Sequence, residues 1–326
     1  MLTLTSARQS RSELREWGEK NVLLLLFVTL CVALGLAFPI FFTTANWVLI
    51  LQSSAIVGVM AIGLSFVMIG GGFDLSFAAT MLFCGAVSAR IMTGDDPSTP
   101  LALIAGPLVG GAIGLANGAI IVFTGISPLL GSIANSLIIR ALGVLFVMTT
   151  WMEIPRNATG FLFIGQGAFA GVPIAVYIFI AIALLAHTVL TYFSYGRRLF
   201  LSGANPRAAR IVGVRVRMTQ VTAYGICGLC AGVAGVINVS SVGGLSAVFN
   251  ISYLYDVITA VVIGGVSFFG GIGSIGTVVL GILILGVLKN AMIILNMPHY
   301  TQNAVGGVFL IIAIGIDSYL RKLRSS

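Results

Sequence analysis

Long apolar stretches alternate with short polar ones along almost the whole chain. Ten of them are apolar enough to predict one helix each, although several are short for a bilayer, which takes about 20 residues. They cover residues 22–42, 47–69, 75–93, 101–123, 127–149, 173–194, 219–240, 254–269, 273–295 and 300–320. The pattern predicts an all-α polytopic membrane protein, with a single transmembrane domain over residues 22–320.

Composition supports this prediction. Of the 326 residues, 58% are hydrophobic and only 8% are charged, whereas soluble domains carry about 25% charged residues. The net charge is +8, and thirteen of the 17 Lys and Arg lie in three clusters at 8–20, 197–217 and 321–324. Basic clusters beside apolar stretches stay in the cytoplasm. The charge therefore indicates topology and gives no reason to expect a nucleic-acid partner.

Ten spans with a cytoplasmic N-terminus place all three basic clusters on the cytoplasmic side. The segments 1–21 and 321–326 and the loop 195–218 are then cytoplasmic, and the loop 150–172 is periplasmic. Eight spans, with two weaker segments re-entrant, satisfy the charge rule equally, so eight to ten spans stay open. The first 20 residues are polar and of mixed charge, which predicts an amphipathic surface segment and not a cleaved signal.

Two glycine-rich segments interrupt the spans at corresponding places in the two halves of the chain. Residues 70–76 read GGGFDLS and residues 264–277 read GGVSFFGGIGSIGT. Their positions predict a two-fold internal repeat with broken or re-entrant helices beside a transport pathway. For any single glycine, close helix packing is an equal alternative. The glycines predicted to be structural are Gly70, Gly71, Gly72, Gly264, Gly265, Gly270, Gly271 and Gly273.

Polar side chains inside the apolar stretches are candidates for lining a substrate pathway, because such groups are costly in a bilayer. The predicted pathway residues are Asp74, Ser76, Asn117, Asn135, Asp256 and Ser267. Asp74 and Asp256 each begin a predicted span, where a carboxylate serves equally well as a helix N-cap. The low charge of the spans favours a neutral substrate.

Residue patterns typical of an enzyme are not found. His187 and His299 stand alone, and Cys227 and Cys230 form C-x-x-C inside an apolar stretch, where packing is the expected role. Residues 271–276 match G-x-G-x-x-G but lie between apolar spans and not in a βαβ unit. The chain also lacks the sequence G-x-x-x-x-G-K-[ST]. We therefore predict no catalytic residue, no metal and no cofactor in this chain.

The longest polar interruption, 195–218, contains a predicted short helix. Asn205 suits the N-cap, Pro206 the first helical position and Gly213 the position after the end. A helix of about 10 Å is too short to be stable alone and needs a partner. Arg207 and Arg210 are three residues apart and share a face, where they can meet acidic groups.

Three motifs occur in an order that resembles the ribose or simple-sugar type of ABC-transporter permease. They are GGGFDLSFA at 70–78, GRRLFLSGANPRAARIVGVRV at 196–216 and DVITAVVIGGVSFFGGIGSIGT at 256–277. The resemblance covers residues 45–318. It implies that the middle motif docks on an ATPase; the docking residues are Gly203, Asn205, Ala208, Ala209 and Gly213, with Arg207 and Arg210 beside them. Departures from the family pattern, such as Phe73, leave the sugar open.

The resemblance implies a multi-pass subunit of the bacterial inner membrane. Its partners would be a cytoplasmic ABC ATPase, a periplasmic sugar-binding protein and a second permease chain, identical or similar. ATP would be used by the ATPase subunit. Two alternatives remain: the related permease type for branched-chain amino acids, and an ion-coupled secondary carrier that works without ATP.

Overall fold

The computed structural model describes residues 21–147, 151–246 and 252–325. The predicted amphipathic segment at 1–21 lies almost wholly outside them. The described residues form thirteen α-helices and four short strands: α1 Val22–Ala37, α2 Thr44–Ile69, α3 Phe77–Met92, α4 Thr99–Thr124, α5 Pro128–Val147, β1 Trp151–Glu153, α6 Thr159–Gln166, β2 Ala168–Phe169, β3 Val172–Pro173, α7 Ile174–Tyr192, α8 Ser194–Ala204, α9 Pro206–Ile211, α10 Val216–Val242, β4 Gly244–Ser246, α11 Ser252–Ile263, α12 Ile275–Ile294 and α13 His299–Ser325. A 3₁₀ turn, Pro39–Phe42, joins α1 to α2.

A helix occupies each of the ten predicted apolar stretches. Within the described residues, six helices are long and apolar enough to cross a membrane, namely α2, α4, α5, α7, α10 and α12. Shorter apolar helices occupy the other four stretches: α1, α3, α11 and the part Tyr300–Ile312 of α13. The prediction of a mostly helical, multi-pass membrane protein is confirmed in this form.

The segment 150–172 was predicted only as a loop, yet it contains β1, α6 and β2. Strand β1 pairs antiparallel with β4, so that Met152 lies opposite Leu245, and β2 pairs with β3. In α6, Phe161 is fully buried, and its carbonyl accepts a hydrogen bond from the hydroxyl of Ser240 at 2.6 Å. The loop prediction missed β1 and α6 because they depend on contacts with β4 and with the end of α10.

Helices α2 and α10 form the centre of the molecule, with α3, α4, α8 and α12 packed around them. Most of their side chains are buried. Cys227 and Cys230 are buried in α10 as free thiols, in agreement with their predicted role as packing residues. The buried side chains of these two helices are therefore small, aliphatic or aromatic, and none of them is charged.

Helices α4 and α10 meet along a seam of glycines, where the two backbones touch directly. Gly106, Gly110 and Gly114 recur every four residues on α4. A Cβ on Gly110 would overlap the carbonyl oxygen of Gly228 and lie 3.0 Å from the backbone nitrogen of Gly232. A Cβ on Gly114 would lie 3.0 Å from the Cα of Gly228. This is the small-xxx-small packing that lets helices in a membrane approach most closely.

We expect Gly110→Ala to lower the stability of the protein by about 1–3 kcal/mol, because the added methyl group overlaps a backbone that cannot move aside cheaply. Gly111→Ala is the matched control, since a Cβ there lies 3.7 Å from the Cβ of Leu229, an ordinary contact. It removes a helix-interior glycine and is expected to leave stability unchanged or to raise it by about 1 kcal/mol. Thermal unfolding in detergent measures the stability of both variants. Equal unfolding midpoints would contradict the close backbone contact between α4 and α10.

Candidate functional site

The polar segment 195–218 forms two helices, α8 and α9, and not the single helix that was predicted. Gly196, Leu199 and Ser202 are spaced three residues apart and form the buried face of α8. Burial raises the pKa of Tyr195 to about 12. Its hydroxyl donates to the carbonyl of Thr219 at 3.2 Å. From the sequence we predicted a basic loop here and missed this amphipathic helix. Its arginines dominate the pattern, and its apolar face contains only a few residues.

The end signals predicted for α9 are confirmed. The side-chain oxygen of Asn205 accepts hydrogen bonds from the backbone nitrogens of Arg207 at 3.1 Å and Ala208 at 3.0 Å. Pro206 is the first helical residue. Gly213 has φ +80°, the left-handed conformation that favours glycine after a helix. The helix ends at Ile211, so Gly213 lies two positions beyond it.

Residues 205–213, which we call the tip, stand out from the rest of the molecule. Of the predicted docking residues, Arg207, Ala208 and Arg210 are exposed, whereas Ala209 is buried. The largest exposed apolar side chains of the tip are Ile211 and Val212, which are 86% and 71% exposed. We did not predict these two residues from the sequence. Two adjacent aliphatic residues directly after Arg210 were the available signal in the sequence.

The last turn of α8 contacts both glycine-rich breaks at one point, which we call the glycine junction. A Cβ on Gly203 would overlap the carbonyl oxygen of Ile69 and lie 2.6 Å from the nitrogen of Gly271. A Cβ on Gly270 would lie 2.7 Å from the Cα of Gly71 and 3.1 Å from the carbonyl oxygen of Gly203. Three distant parts of the chain thus meet here by their backbones.

Hydrogen bonds and backbone conformation hold the glycine junction together. The nitrogen of Gly271 donates to the carbonyl of Ile69 at 2.9 Å, which joins the two breaks directly. The side-chain amide of Gln220 on α10 donates to the carbonyl of Gly70 at 3.0 Å. Gly71 and Gly270 have φ +77° and +87°, a conformation that most other residues avoid. These glycines therefore have two reasons to lack a side chain.

The other predicted structural glycines lie along the same two breaks. A Cβ on Gly72 would lie 2.9 Å from the hydroxyl oxygen of Tyr224, and one on Gly273 would lie 2.9 Å from Ile69. A Cβ on Gly264 would lie 2.6 Å from the Cα of Val278. Gly265 also has a positive φ, +75°, but open space around it. The first break joins α2 to α3 and the second joins α11 to α12.

Three of the predicted pathway residues form one closed polar cluster. Asp74, Ser76 and Asn117 are each 1% exposed. One carboxylate oxygen of Asp74 accepts from the backbone nitrogen and the hydroxyl of Ser76, both at 2.7 Å, and from the amide of Asn117 at 3.2 Å. The amide of Asn117 also donates to the hydroxyl of Ser76 at 3.0 Å. The cluster ties α4 to the first break and is shut off from solvent in this conformation.

The other three predicted pathway residues lie apart from that cluster. Asp256 lies inside α11, four residues after its start, so the N-cap alternative for this residue is wrong. Its carboxylate forms an ion pair with the ammonium of Lys289 on α12. The hydroxyl of Ser267 accepts from the nitrogen of Phe269 at 3.3 Å within the second break. Asn135 is half-buried on α5 and belongs to neither group.

The comparisons with known proteins agree on one family. A family model described as "branched-chain amino acid transport system / permease component" matches residues 46–314. The ribose import permease of Escherichia coli K12 is 32% identical over 304 residues, which are 92% of this chain and 94% of that protein. The L-arabinose transport system permease of the same strain is 32% identical over 310 residues, 95% of this chain and 93% of the relative.

The D-allose transport system permease of Escherichia coli K12 is 30% identical over 307 residues, 94% of this chain and 93% of the relative. No solved structure matches the chain. The family model covers well over half of the chain, and these relatives cover more than nine-tenths of it. The chain therefore belongs to the family of transport-system permease components.

Proposed function

We propose that the chain is the membrane-spanning subunit of an ABC importer for a simple sugar. A separate cytoplasmic subunit hydrolyses the ATP, and this chain has no catalytic role of its own. The relatives named for ribose, L-arabinose and D-allose support a sugar over the branched-chain amino acids of the family description. A periplasmic binding protein delivers the sugar, and a second permease chain completes the pathway.

The observation that carries the proposal is the glycine junction. The ATPase docks on the tip, and the tip is continuous with α8 through the cap residue Asn205. The end of α8 contacts the backbones of both breaks at Gly71 and Gly270 without an intervening side chain. A displacement of α8 therefore reaches α2 with α3 and α11 with α12 together. This is a direct mechanical route from an ATPase to two pairs of spans.

The chemistry of the tip suits a protein partner. Ile211 and Val212 offer an apolar centre, and Arg207 and Arg210 form a basic rim around it. Interfaces between proteins commonly combine an apolar core with a polar rim, and arginine is enriched in them. Ala209 is buried and fixes the tip to the rest of the chain rather than to the partner.

The proposed topology has ten spans in the bacterial inner membrane, with both termini in the cytoplasm. The six long helices supply six spans, and α1, α3, α11 and α13 supply the other four. The tip then faces the cytoplasm together with the glycine junction, and the β1–β4 pair faces the periplasm. The two breaks, one in each half of the chain, support a two-fold internal repeat.

The dependence on ATP separates this proposal from an ion-coupled carrier. Proteoliposomes that hold the chain with its ATPase and binding protein are expected to take up radiolabelled D-ribose, L-arabinose or D-allose only when ATP is supplied. The chain alone is expected to take up none of them under a proton or sodium gradient. Gradient-driven uptake by the lone chain would contradict the proposal. ATP-driven uptake of leucine in place of any sugar would favour the branched-chain alternative.

We expect Ile211→Asp to lower ATP-driven uptake at least about tenfold, because docking would move a carboxylate from water into the apolar centre of the interface at a cost of several kcal/mol. Co-purification of the ATPase should fall in parallel, while the amount of chain in the membrane stays the same. Ile211→Leu is the control, since it keeps the volume and the apolar character. Normal co-purification of the ATPase with Ile211→Asp would rule out the tip as the docking surface.

We expect Gly203→Ala to uncouple the transporter while the ATPase still co-purifies, because the new methyl group wedges the glycine junction apart and leaves the tip unchanged. Uptake should fall at least about tenfold, since the required backbone shift costs about 1–3 kcal/mol and misplaces both breaks. The control is Gly276→Ala, a glycine at the start of α12 whose Cβ would lie 3.7 Å from the hydroxyl of Ser274. Equal uptake by the two variants would be incompatible with the proposed route.

A further inference from the structure

A cavity of about 210 Å³ lies between α2, α11 and α12. Its wall holds polar side chains from three helices and aliphatic side chains such as Leu285. The polar residues are Ser53 and Ser54 on α2, Ser252, Tyr253 and Asp256 on α11, and Lys289 on α12. At about 30 Å³ for each molecule of liquid water, this space corresponds to about seven waters. The cavity is thus the size of one small polar solute. The closed cluster of Asp74 is not part of it.

One hydroxyl in the wall of the cavity is buried and unsatisfied. Ser54 is only 4% exposed, and its hydroxyl has no hydrogen-bond partner among the residues that the structure describes. Its neighbour Ser53 differs, since that hydroxyl donates to the carbonyls of Leu49 and Ile50 at 3.0 Å. A buried hydroxyl without a partner is costly. Ser54 therefore has a reason to bind a hydroxyl group that enters the cavity.

The hydroxyl of Ser54 has space because the residue opposite it on α12 is a glycine, Gly286. A Cβ on Gly286 of α12 would overlap the Oγ atom of Ser54, so any other residue at position 286 would displace the serine side chain. Both residues line the cavity. The hydroxyl of Ser54 is thus accommodated by the helix opposite, although that helix gives it no partner.

The charges in the wall cancel one another. The ammonium of Lys289 contacts the carboxylate of Asp256, and the two side chains are 24% and 12% exposed. An ammonium has three N–H donors, and one of them points at Asp256. An ionic solute would leave an uncompensated charge here, and an apolar one would leave Ser54 unsatisfied. A neutral solute rich in hydroxyl groups fits both conditions.

We propose that this cavity is a binding station for the sugar within the membrane, where Ser54, Asp256 and Lys289 hydrogen-bond its hydroxyl groups. The inference rests on the proposed function and adds the place and the residues of recognition. Ser54 is ten residues after the start of α2, or about 15 Å along a helix about 39 Å long. Asp256 is four residues after the start of α11 and Lys289 five residues before the end of α12, so in the proposed topology the station lies in the periplasmic half of the membrane.

A second cavity continues the route toward the β1–β4 pair. It has a volume of about 220 Å³, and Trp151 and Ser246 are in its wall. Tyr253 lines both cavities. Its hydroxyl donates to the side-chain oxygen of Asn238 at 3.1 Å. Tyr253 is thus the residue that the cavity beside β1 and β4 shares with the station.

The test measures the number of sugar molecules transported for each ATP hydrolysed. Proteoliposomes hold the full chain with its ATPase and a saturating amount of binding protein loaded with D-ribose, L-arabinose or D-allose, whichever the wild type transports. We expect Ser54→Ala to lower this ratio about fivefold, the usual effect of one lost neutral hydrogen bond. ATP hydrolysis itself should continue, because Ser54 is remote in sequence from the tip and absent from the glycine junction.

Thr259→Val is the matched control. Thr259 has the other buried side-chain oxygen without a partner among the described residues, and it lies on α11 three residues after Asp256, outside the cavity wall. Its loss should leave the ratio unchanged. An unchanged ratio in Ser54→Ala, or an equal fall in both variants, would overturn the binding station. The dependence of wild-type uptake on ATP tests the proposed function separately.

A labelling experiment keeps the inference testable if Ser54→Ala assembles poorly. In a variant whose four native cysteines are replaced by alanine, Ser54→Cys places one thiol in the wall of the cavity with little change in volume. A small thiol reagent is expected to modify this cysteine, and loaded binding protein with ATP should slow the modification at least about threefold, since a bound sugar covers the thiol. Modification at an equal rate with and without sugar would show that the sugar does not occupy the cavity.

Discussion

Direct contact between the backbones of α4 and α10 is the constraint on which the rest of the structure depends. In a bilayer, apolar side chains gain little by leaving lipid, so helices associate by close packing of small residues. The glycines at 106, 110 and 114 face those at 228 and 232, and the seam leaves no room for a methyl group. Because α10 is fixed in this way, α2, α3 and α8 have a rigid surface to pack on.

The same rule has another consequence at the glycine junction. There the contacts join three segments that are far apart in the chain, through Gly71, Gly203 and Gly270. The seam along α4 and α10 is continuous and regular, which favours rigidity, whereas the junction is one point between the ends of several helices. A contact of that kind passes on a displacement without absorbing it in side-chain rotamers. In our proposal the seam between α4 and α10 keeps the core of the protein rigid, and the glycine junction transmits the motion of α8 to the two breaks.

The buried polar groups divide into two kinds by whether their hydrogen bonds are complete. Asp74 has three donors on a single carboxylate oxygen and belongs to a closed cluster. Ser54 has a buried hydroxyl without a partner among the described residues, and a cavity in front of it. Satisfied groups of the first kind stabilise one conformation. Groups of the second kind pay a desolvation cost that a bound solute can relieve, which is why we place recognition at Ser54.

The sequence by itself determined what depends on neighbours along the chain. The ten apolar stretches each became a helix, the cap of Asn205 formed as predicted, and three ordered motifs identified the family. Local periodicity and capping chemistry decide these features. A second helix before the tip was missed, because only its packing against α2 and α10 reveals its buried face.

Only the tertiary structure decided which of the predicted residues belong together. It closed Asp74, Ser76 and Asn117 into one cluster and set Asp256 beside Lys289, 33 residues away. It brought Gly71 to Gly270 across almost 200 residues and left Ile211 exposed. Such pairings depend on how helices cross and which faces they present. No pattern in one sequence encodes that, because the same glycine or aspartate suits a cap, a seam or a site until its neighbour in space is known.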